Sequence, residues 1–490
     1  MKPLLPLVLF LFLLPDPAVA QAADGVAALS LSDCRIRAGK GYPGIKARCG
    51  TLERPEDPSD PDSPMLELRI AIVPALSLEP APDPLLPIAG GPGQGTIGFY
   101  ASYAGAFEKV RRNRDILLID QRGTGESALM QCEGGEEVIE GQFSIEQTIE
   151  ETQRCLDALP HDPRFFTTSV AVQDIEALRI ALGIPQLNLY GVSYGSRVAQ
   201  HYLRRYPDAT RSVILDGVIP PAIALGPIIA VEAQKALDSI FDRCAEDAAC
   251  NERFPGLRGK FAALQLQLSE NRVELELPNP LTGRPQELAF GVGEMAAAVR
   301  LLSYHPNSIA LIPLLIDEAS KGNLAPLASQ FLQIAENMGD ALALGMHNSV
   351  VCAEDLPFID PAAISDEALA QTYMGPVQAD ALEAMCSIWP RGPVDDDFKE
   401  AVASDKPVLL LSGEADPITP PYFADQVAAT LGNVKHITGR QQGHGQAMRG
   451  CMPDIIGRFV ESASIEDLDD QCYETVFSMP FFLDFSGPSP

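Results

Sequence analysis

The stretch LNLYGVSYGSRVAQHY, from Leu187 to Tyr202, decides the fold class of this chain. Its first half is a short apolar run typical of a buried strand, and its second half carries apolar residues at helical spacing. Ser193 lies at the junction, with Gly191 and Gly195 two positions to either side. A serine in a tight turn from a strand into a helix stands clear of the sheet, and glycines there avoid collisions with the neighbouring strand and helix. The pattern therefore predicts a nucleophilic serine at the end of a buried strand.

Further apolar runs predict the rest of a mostly parallel sheet. Six short runs have the composition of strands covered on both faces: PLLPIAG, DILLID, QLNLYG, SVILDG, PVLLLSG and VKHITG. The earlier run MLELRIAIVPA alternates apolar and polar residues, which predicts a strand with one wetter face. Helical patterns separate several of these runs, so the predicted fold class is α/β with a doubly wound sheet.

A long interval without buried-strand runs interrupts this alternation, from about residue 219 to about residue 405. It contains helix-like segments and one predicted hairpin, VELELPNPLTGRPQELAF. Strand-like runs resume at Val408, so the interval is predicted to be an insertion into one sheet. We therefore divide the mature chain into a core at residues 21–220 and 405–490, and a mainly helical cap inserted at residues 221–404.

The first 20 residues have the pattern of a secretory signal peptide. Lys2 precedes the apolar run from Leu4 to Leu14, and the sequence AVA at residues 18–20 predicts cleavage before Gln21. No later segment offers the run of about 20 apolar residues that a membrane-spanning helix requires. The mature protein is therefore predicted to be exported to the periplasm or the medium, and to be free of the membrane after cleavage.

Composition excludes several kinds of partner. The 490 residues include 66 acidic and 36 basic residues, which gives a net charge of -30. Such a charge repels nucleic acid and anionic lipid, so neither is an expected partner. No metal-ligand spacing and no phosphate-binding pattern occurs, and we predict no metal and no cofactor. The sequence leaves the oligomeric state open.

Ten cysteines in an exported chain are expected to form disulfides, because an oxidising compartment lets thiols pair. A reactive or metal-binding thiol is the alternative, but no C-x-x-C spacing supports it. Cysteines that are close neighbours along the chain are the predicted pairs: Cys34 with Cys49, Cys132 with Cys155, Cys244 with Cys250, Cys352 with Cys386, and Cys451 with Cys472.

The base that activates the serine is expected late in the chain, because this architecture orders serine, acid and histidine in that sequence. Four of the 6 histidines come before the last strands: His161, His201, His305 and His347. His436 lies inside the predicted strand VKHITG, whereas His444 lies in the loop QQGHGQ just past that strand. His444 is therefore the predicted base.

The acid is expected just after the preceding strand, where LLLSGEADPITPP offers Glu414 and Asp416. Asp416 is favoured because it is nearer the turn at Pro417, and an acid at this point of the fold orients the imidazole. The oxyanion of the reaction needs two backbone N–H donors. We assign them to Tyr194, directly after the nucleophile, and to Gly91, in the glycine-rich loop AGGPGQG.

Five ordered motifs resemble the α/β-hydrolase peptidases of the prolyl iminopeptidase and tripeptidyl aminopeptidase group. They are GGPGQG, DQRGTGES, YGVSYGS, LLLSGEADPITPP and QGHGQ, and the likeness runs from about Gly90 to Cys472 outside much of the insertion. The region from Lys406 onward is similar to the C-terminal region of the secreted tripeptidyl aminopeptidases. Ala89 stands where the prolyl iminopeptidases usually carry histidine, which favours the tripeptidyl branch. The resemblance implies an α/β-hydrolase fold and a serine exopeptidase.

An exopeptidase must hold the free α-ammonium of its substrate, and a carboxylate in a partly dry pocket can do so. The cap segment VVCAEDLPF offers Glu354 and Asp355 for this role. The alternative is that the two residues only cap a turn.

Together these patterns predict a secreted serine aminopeptidase that acts on peptides and releases tripeptides, or single residues such as proline, through an acyl-enzyme. Ser193 is predicted to attack, His444 to transfer the proton and Asp416 to orient the imidazole. Two alternatives remain at this point. One is a carboxylesterase that uses the same triad, and the other is a binding protein that keeps the fold without catalysis.

Overall fold

The computed structural model describes residues 29–39, 41–132 and 144–488, so the predicted signal peptide at residues 1–20 and its cleavage site lie outside the described residues. The strands are β1 Ser32–Ile36, β2 Ile45–Pro55, β3 Met65–Val73, β4 Leu85–Ile88, β5 Ile116–Ile119, β6 Leu187–Val192, β7 Thr210–Asp216, β8 Val273–Pro278, β9 Pro285–Phe290, β10 Val408–Gly413, β11 Val434–Gly439, β12 Phe482–Asp484 and β13 Gly487–Pro488. The α-helices are α1 Thr96–Tyr103, α2 Ile145–Ala158, α3 Thr168–Ala181, α4 Tyr194–Arg205, α5 Pro227–Glu246, α6 Ala248–Arg253, α7 Leu257–Glu270, α8 Val292–Leu302, α9 Pro306–Ile309, α10 Ile312–Ser320, α11 Ala325–Ala341, α12 Leu344–Val350, α13 Asp366–Ala370, α14 Val377–Ile388, α15 Pro421–Ala428 and α16 Met452–Ser462. Within the described ranges, none of these helices is long and apolar enough to span a membrane.

One sheet of 9 strands forms the centre of the core, in the order β1-β2-β3-β5-β4-β6-β7-β10-β11. The pairs from β1 to β5 are antiparallel, and every neighbouring pair from β5 to β11 is parallel. Each apolar run predicted as a strand is a strand of this sheet, so the predicted α/β class with a mostly parallel sheet is confirmed. The edge strand β1 was not predicted.

Helices cover both faces of the sheet because successive residues of a strand point to opposite sides. In β10, Leu409 packs into the same apolar cluster as Ile456 of α16. The next residue, Leu410, packs into the opposite cluster with Val198 of α4. With both faces covered, the carboxyl edge of the parallel strands is where loops can form a cleft.

Between β7 and β10 the chain leaves the sheet and builds a second layer. Helices α5 to α11 and the antiparallel hairpin β8–β9 surround an apolar cluster that includes Phe241, Phe261 and Phe331. This hairpin lies where the sequence predicted one. Because β7 ends at Asp216 and β10 begins at Val408, we keep residues 221–404 as the proposed extent of the cap.

The ten cysteines form five disulfides, and each bridge joins the neighbours named above. The bridged residues are between 6 and 34 positions apart along the chain. Every bridge therefore closes a local loop.

Candidate active site

Ser193 occupies a sharp turn between the last residue of β6 and the first residue of α4. Its backbone has φ 56° and ψ -125°, a conformation that side-chain-bearing residues rarely adopt. The Ser193 N–H donates to the Asp216 carbonyl at 2.9 Å, which fastens the turn to the end of β7. Backbone held in such a conformation costs roughly 1–3 kcal/mol and is found mainly at functional sites.

The two glycines around Ser193 are required by close backbone contacts. A Cβ on Gly191 would lie 2.2 Å from the Gly195 carbonyl oxygen, so a side chain there would collide with the start of α4. A Cβ on Gly195 would lie 2.3 Å from the Ile88 carbonyl oxygen at the end of β4. Any larger residue at either position would push the helix away from the sheet and move Ser193.

His444 and Asp416 form a hydrogen-bonded pair in the loops that follow β11 and β10. The imidazole Nδ1 lies 2.8 Å from a carboxylate oxygen of Asp416, whose side chain has no solvent exposure. The other carboxylate oxygen accepts the backbone N–H groups of Ile418 and Thr419 at 3.0 and 2.9 Å. The Thr419 hydroxyl donates to Asp416 at 2.6 Å and lies 3.0 Å from Nδ1. The carboxylate is thereby fixed in the orientation that meets the imidazole.

The pKa of His444 is set by two opposing effects. Burial lowers it, but the charge of Asp416 and the hydrogen bond to it outweigh burial, so the net pKa is raised above the usual histidine value. The protonated imidazole is thus stabilised. This is the electrostatic arrangement that a general base with a carboxylate partner needs.

The end of β7 brings the serine turn and the histidine loop together. A Cβ on Gly217 would lie 2.7 Å from the His444 imidazole, while the preceding Asp216 carbonyl holds the Ser193 N–H. The buried Asp216 carboxylate accepts the backbone N–H groups of Gln446 and Ala447, at 2.8 and 2.9 Å. One strand end therefore anchors Ser193 and the His444 loop at the same edge of the sheet.

The glycine-rich loop after β4 runs beside the serine. A Cβ on Gly90 would lie 3.0 Å from the Ser193 Cβ, and Gly91 has φ +107°. The N–H of Tyr194 is the first of α4 and has no intrahelical acceptor. Among the described residues, neither the Gly91 nor the Tyr194 amide donates a hydrogen bond. Two unpaired N–H groups beside the serine match the donors that an oxyanion hole requires.

Asp355 is buried at the end of a π-helical turn of the cap, Val351–Asp355, where it is 1% exposed. Arg197 of α4 donates two hydrogen bonds to its carboxylate, at 2.9 and 3.1 Å, and the Leu225 N–H donates a third at 2.9 Å. Burial raises the pKa of Asp355, but the charges of Arg197 and Lys399 outweigh burial and lower it overall. Asp355 therefore fastens the cap to the helix that begins after Ser193.

Glu354 is fully buried beside Asp355 and also reaches α4. Its carboxylate accepts the Thr168 N–H at 2.6 Å and the Thr168 hydroxyl at 2.9 Å, and that hydroxyl lies 2.7 Å from the Tyr194 hydroxyl. Burial raises the pKa of Glu354 to about 7. Both carboxylates are buried and bind protein partners. Their binding of a substrate ammonium stays a prediction.

Replacing Glu354 by glutamine is expected to weaken the pH dependence of stability. The pKa of Glu354 is about 7 in the folded protein, above its ordinary value of 4.5, which holds in the unfolded chain. The folded state therefore binds the extra proton. The stability contributed by this proton is complete below the unfolded pKa and is lost as the pH rises through about 7. We expect the Tm of the native protein to fall more between about pH 5 and about pH 8 than that of Glu354→Gln.

The contrasting variant is Asp355→Asn, because the pKa of Asp355 is lowered and its charge stabilises the fold throughout this pH range. This variant should have a reduced Tm at both pH values, since it removes the charge that is hydrogen-bonded to the buried Arg197 guanidinium. Equal Tm losses for the native protein and Glu354→Gln would show that Glu354 does not take up a proton in this range.

Several residues that shape the site were not predicted from the sequence: Asp216, Thr419, Arg197, Thr168 and Tyr304. Asp216 carried a signal, because an acidic residue ends the otherwise apolar run SVILDG. Arg197 carried another, because it interrupts the face of α4 that faces inward. No local pattern marks the others. Among the described residues, no group of three or more His, Cys, Asp or Glu side chains could hold a metal ion.

Comparison with known proteins agrees with this fold. Residues 83–273 match the family model described as alpha/beta hydrolase fold, and residues 371–472 match the model described as TAP-like protein. Serine protease Hip1 of Mycobacterium tuberculosis is 25% identical over 421 residues, which cover 76% of this chain and 77% of that protein. Tripeptidyl aminopeptidase of Streptomyces coelicolor is 28% identical over 153 residues, or 27% of this chain and 28% of that protein.

Two further matches are to a protein named as a carboxylesterase and to a solved structure. Carboxylesterase B of Mycobacterium tuberculosis is 26% identical over 419 residues, covering 79% of this chain and 78% of that protein. The crystal structure of proline iminopeptidase from Mycobacterium smegmatis is 13% identical with a TM-score of 0.40, covering 88% of this chain and 98% of that chain.

The sheet order, the turn at Ser193 and the family matches define a serine hydrolase with the α/β-hydrolase fold. More particularly, the chain is related to the serine protease Hip1 and to the tripeptidyl aminopeptidases, and it carries a TAP-like C-terminal region. The predicted resemblance is confirmed.

Proposed function

We propose that this protein is an exported serine aminopeptidase, which releases short N-terminal fragments from peptides through an acyl-enzyme. The observation that carries the proposal is the pair of His444 and Asp416, joined at 2.8 Å and held beside the Ser193 turn by the end of β7. The TAP-like match spans both members of this pair, which favours a peptidase. The five disulfides support export, because such bridges persist in oxidising compartments.

In this mechanism the Ser193 hydroxyl oxygen attacks the scissile carbonyl carbon while Nε2 of His444 takes its proton. Asp416 accepts the hydrogen bond from Nδ1–H and stabilises the imidazolium that forms. As negative charge develops on the carbonyl oxygen, this oxygen accepts hydrogen bonds from the backbone N–H groups of Gly91 and Tyr194. His444 then donates its proton to the leaving amine. Water attacks the acyl-enzyme with His444 again as base, which releases the fragment and restores Ser193.

Selection for a free N-terminus is tested with pairs of tripeptidyl, prolyl and aminoacyl fluorogenic amides, each offered free and N-acetylated. We expect kcat/KM for the free member of at least one pair to exceed that of its acetylated partner by roughly a hundredfold, because an ammonium pairing with buried negative charge is a charge-assisted contact. Equal turnover of free and acetylated members throughout the panel would contradict an aminopeptidase.

A carboxylesterase is the second candidate, favoured by the relative named carboxylesterase B. It would use the same attack and the same proton transfer on an uncharged ester. Substitution of Glu354 does not separate the two candidates, because Glu354 holds Thr168 beside Tyr194 and would disturb either reaction. Short acyl esters cleaved in the absence of any peptide-amide cleavage would instead favour the esterase.

A further inference from the structure

Two arginines near His444 lack an acidic partner among the described side chains. Arg300 lies in α8 of the cap, and Arg449 follows His444 in the same loop of the core. Neither forms a salt bridge within the described part of the chain, although acidic residues outnumber basic ones 66 to 36. A guanidinium that is left unpaired beside a reaction centre is available to an anionic group of the substrate.

Tyr304 connects Arg300 to His444. The Tyr304 carbonyl accepts the His444 N–H at 2.7 Å, and its ring centroid lies 5.2 Å from that of the imidazole. Arg300 donates to the Tyr304 hydroxyl at 3.0 Å, with its guanidinium carbon 5.8 Å from the ring centroid. The Arg300 Nε–H is shielded from solvent and has no acceptor among the described groups. The guanidinium is thus positioned by Tyr304 but is not saturated by it.

The Arg300 charge acts on two imidazoles. It lowers the pKa of His444, although burial and Asp416 have larger effects there. It also contributes to the lowered pKa of His347, after the larger effect of burial. The His347 imidazole lies 3.2 Å from the carbonyl of Pro92, which directly follows Gly91. The Arg300 charge therefore acts on the His444 loop and on the imidazole that contacts the Gly91 loop.

Arg449 is a second positive charge in the loop that holds His444. One of its guanidinium nitrogens lies 3.1 Å from Nδ1 of His305. Burial, followed by the Arg449 charge, lowers the pKa of His305 to about 4, so this imidazole is neutral at neutral pH and accepts the hydrogen bond. The negative groups that face this segment, Asp416 and Asp216, are already engaged by His444 and by backbone N–H groups.

We propose that Arg300, with Arg449 adding to the field, binds a carboxylate of the substrate on the leaving-group side of the scissile bond. We place it on this side because His444 gives its proton to the leaving amine, and Tyr304 packs against the His444 ring and accepts a hydrogen bond from Arg300. This inference rests on the proposed peptidase function. The carboxylate is either the C-terminus of a short peptide or an acidic side chain just after the cleaved bond, so the enzyme would favour short or acidic leaving groups.

The test compares two pairs of peptides by mass spectrometry of the products. The first pair is Ala-Ala-Pro-Ala with a free C-terminal carboxylate and the same peptide as its C-terminal amide. The second pair carries Asp or Asn after the Pro, with both C-termini amidated. We expect the native protein to favour the carboxylate member of one pair, in kcat/KM, by roughly ten- to hundredfold, as for hydrogen bonds to a charged group. The pair that responds identifies the source of the carboxylate.

Arg300→Gln should bring this ratio close to one, Arg300→Lys should leave part of it, and Arg449→Gln should lower it by a smaller factor. The ratio within one variant cancels any general loss of activity. Arg243→Gln is the matched control, because Arg243 is also a cap arginine stacked on an aromatic ring, at 4.1 Å from Phe481, with one unpartnered nitrogen. Its ratio should equal that of the native protein.

A binding measurement gives a second readout that does not depend on turnover. In Ser193→Ala, the carboxylate peptide should bind more tightly than its amide by a similar factor, and adding Arg300→Gln should remove the difference. A native ratio near one, or a full ratio kept in Arg300→Gln, overturns the inference alone. A native protein that cleaves no peptide of either pair overturns the proposed function, and the inference falls with it.

Discussion

Replacing Ser193 by alanine is expected to lower kcat for peptide amides by about a millionfold, which is the largest effect we predict for one substitution. The hydroxyl is the attacking group, and alanine leaves no atom that could form the acyl-enzyme. The fold should tolerate the change, because alanine and serine face similar strain at φ 56° and the turn is held through backbone contacts. The measurement is kcat for the best fluorogenic amide of the panel, together with the Tm.

The control is Ser269→Ala, an exposed serine of the cap helix α7 whose hydroxyl bonds only to the Leu266 carbonyl. This variant should keep the native kcat and should still react with a fluorophosphonate probe, whereas Ser193→Ala should not react. Activity retained in Ser193→Ala at more than about a thousandth of the native value would place the nucleophile elsewhere. Failure of the native protein to label would revive a binding protein without catalysis.

Replacing Asp416 by asparagine is expected to lower kcat by about ten-thousandfold. The substitution removes the charge that stabilises the imidazolium and lets an amide group turn toward Nδ1. Because the Asp416 charge raises the pKa of His444, its loss should lower that pKa. The acidic limb of the kcat/KM profile, where His444 becomes protonated and inactive, should therefore move to lower pH.

The matched control for Asp416 is Glu414→Gln, the other acidic residue of the same loop. Glu414 is exposed and accepts the backbone N–H of Gln441 at 2.9 Å, away from the imidazole. We expect this variant to keep the native kcat and the native acidic limb. If Glu414→Gln were the damaging change and Asp416→Asn the mild one, the assignment of the acid would be reversed.

The part of the fold that was predictable from the sequence is the part that is buried on both faces. Short, almost wholly apolar runs such as DILLID and PVLLLSG are typical of interior strands, and they form β5 and β10. The edge strand β1 was not recognised, because charged residues interrupt its apolar positions and much of it is exposed. An edge strand is defined by its partner, and a local pattern does not contain the partner.

The residues of the candidate triad were predictable because a strand-loop order limits which acid and histidine can meet the serine. The surroundings of Glu354 and Asp355 were not predictable. Asp355 and Arg197 are 158 positions apart, and only the packing of the cap on α4 brings them together. The same holds for Arg300, which reaches His444 through Tyr304 and not through any sequence motif.

The placement of the disulfides has a consequence for how such enzymes diversify. Both bridges that fall within the proposed cap, Cys244–Cys250 and Cys352–Cys386, begin and end inside the insert, and the other three lie wholly outside it. A single recombination that swaps the insert at residues 221–404 would leave no cysteine stranded in either piece. The disulfides of the insert and those of the core can therefore form independently of each other.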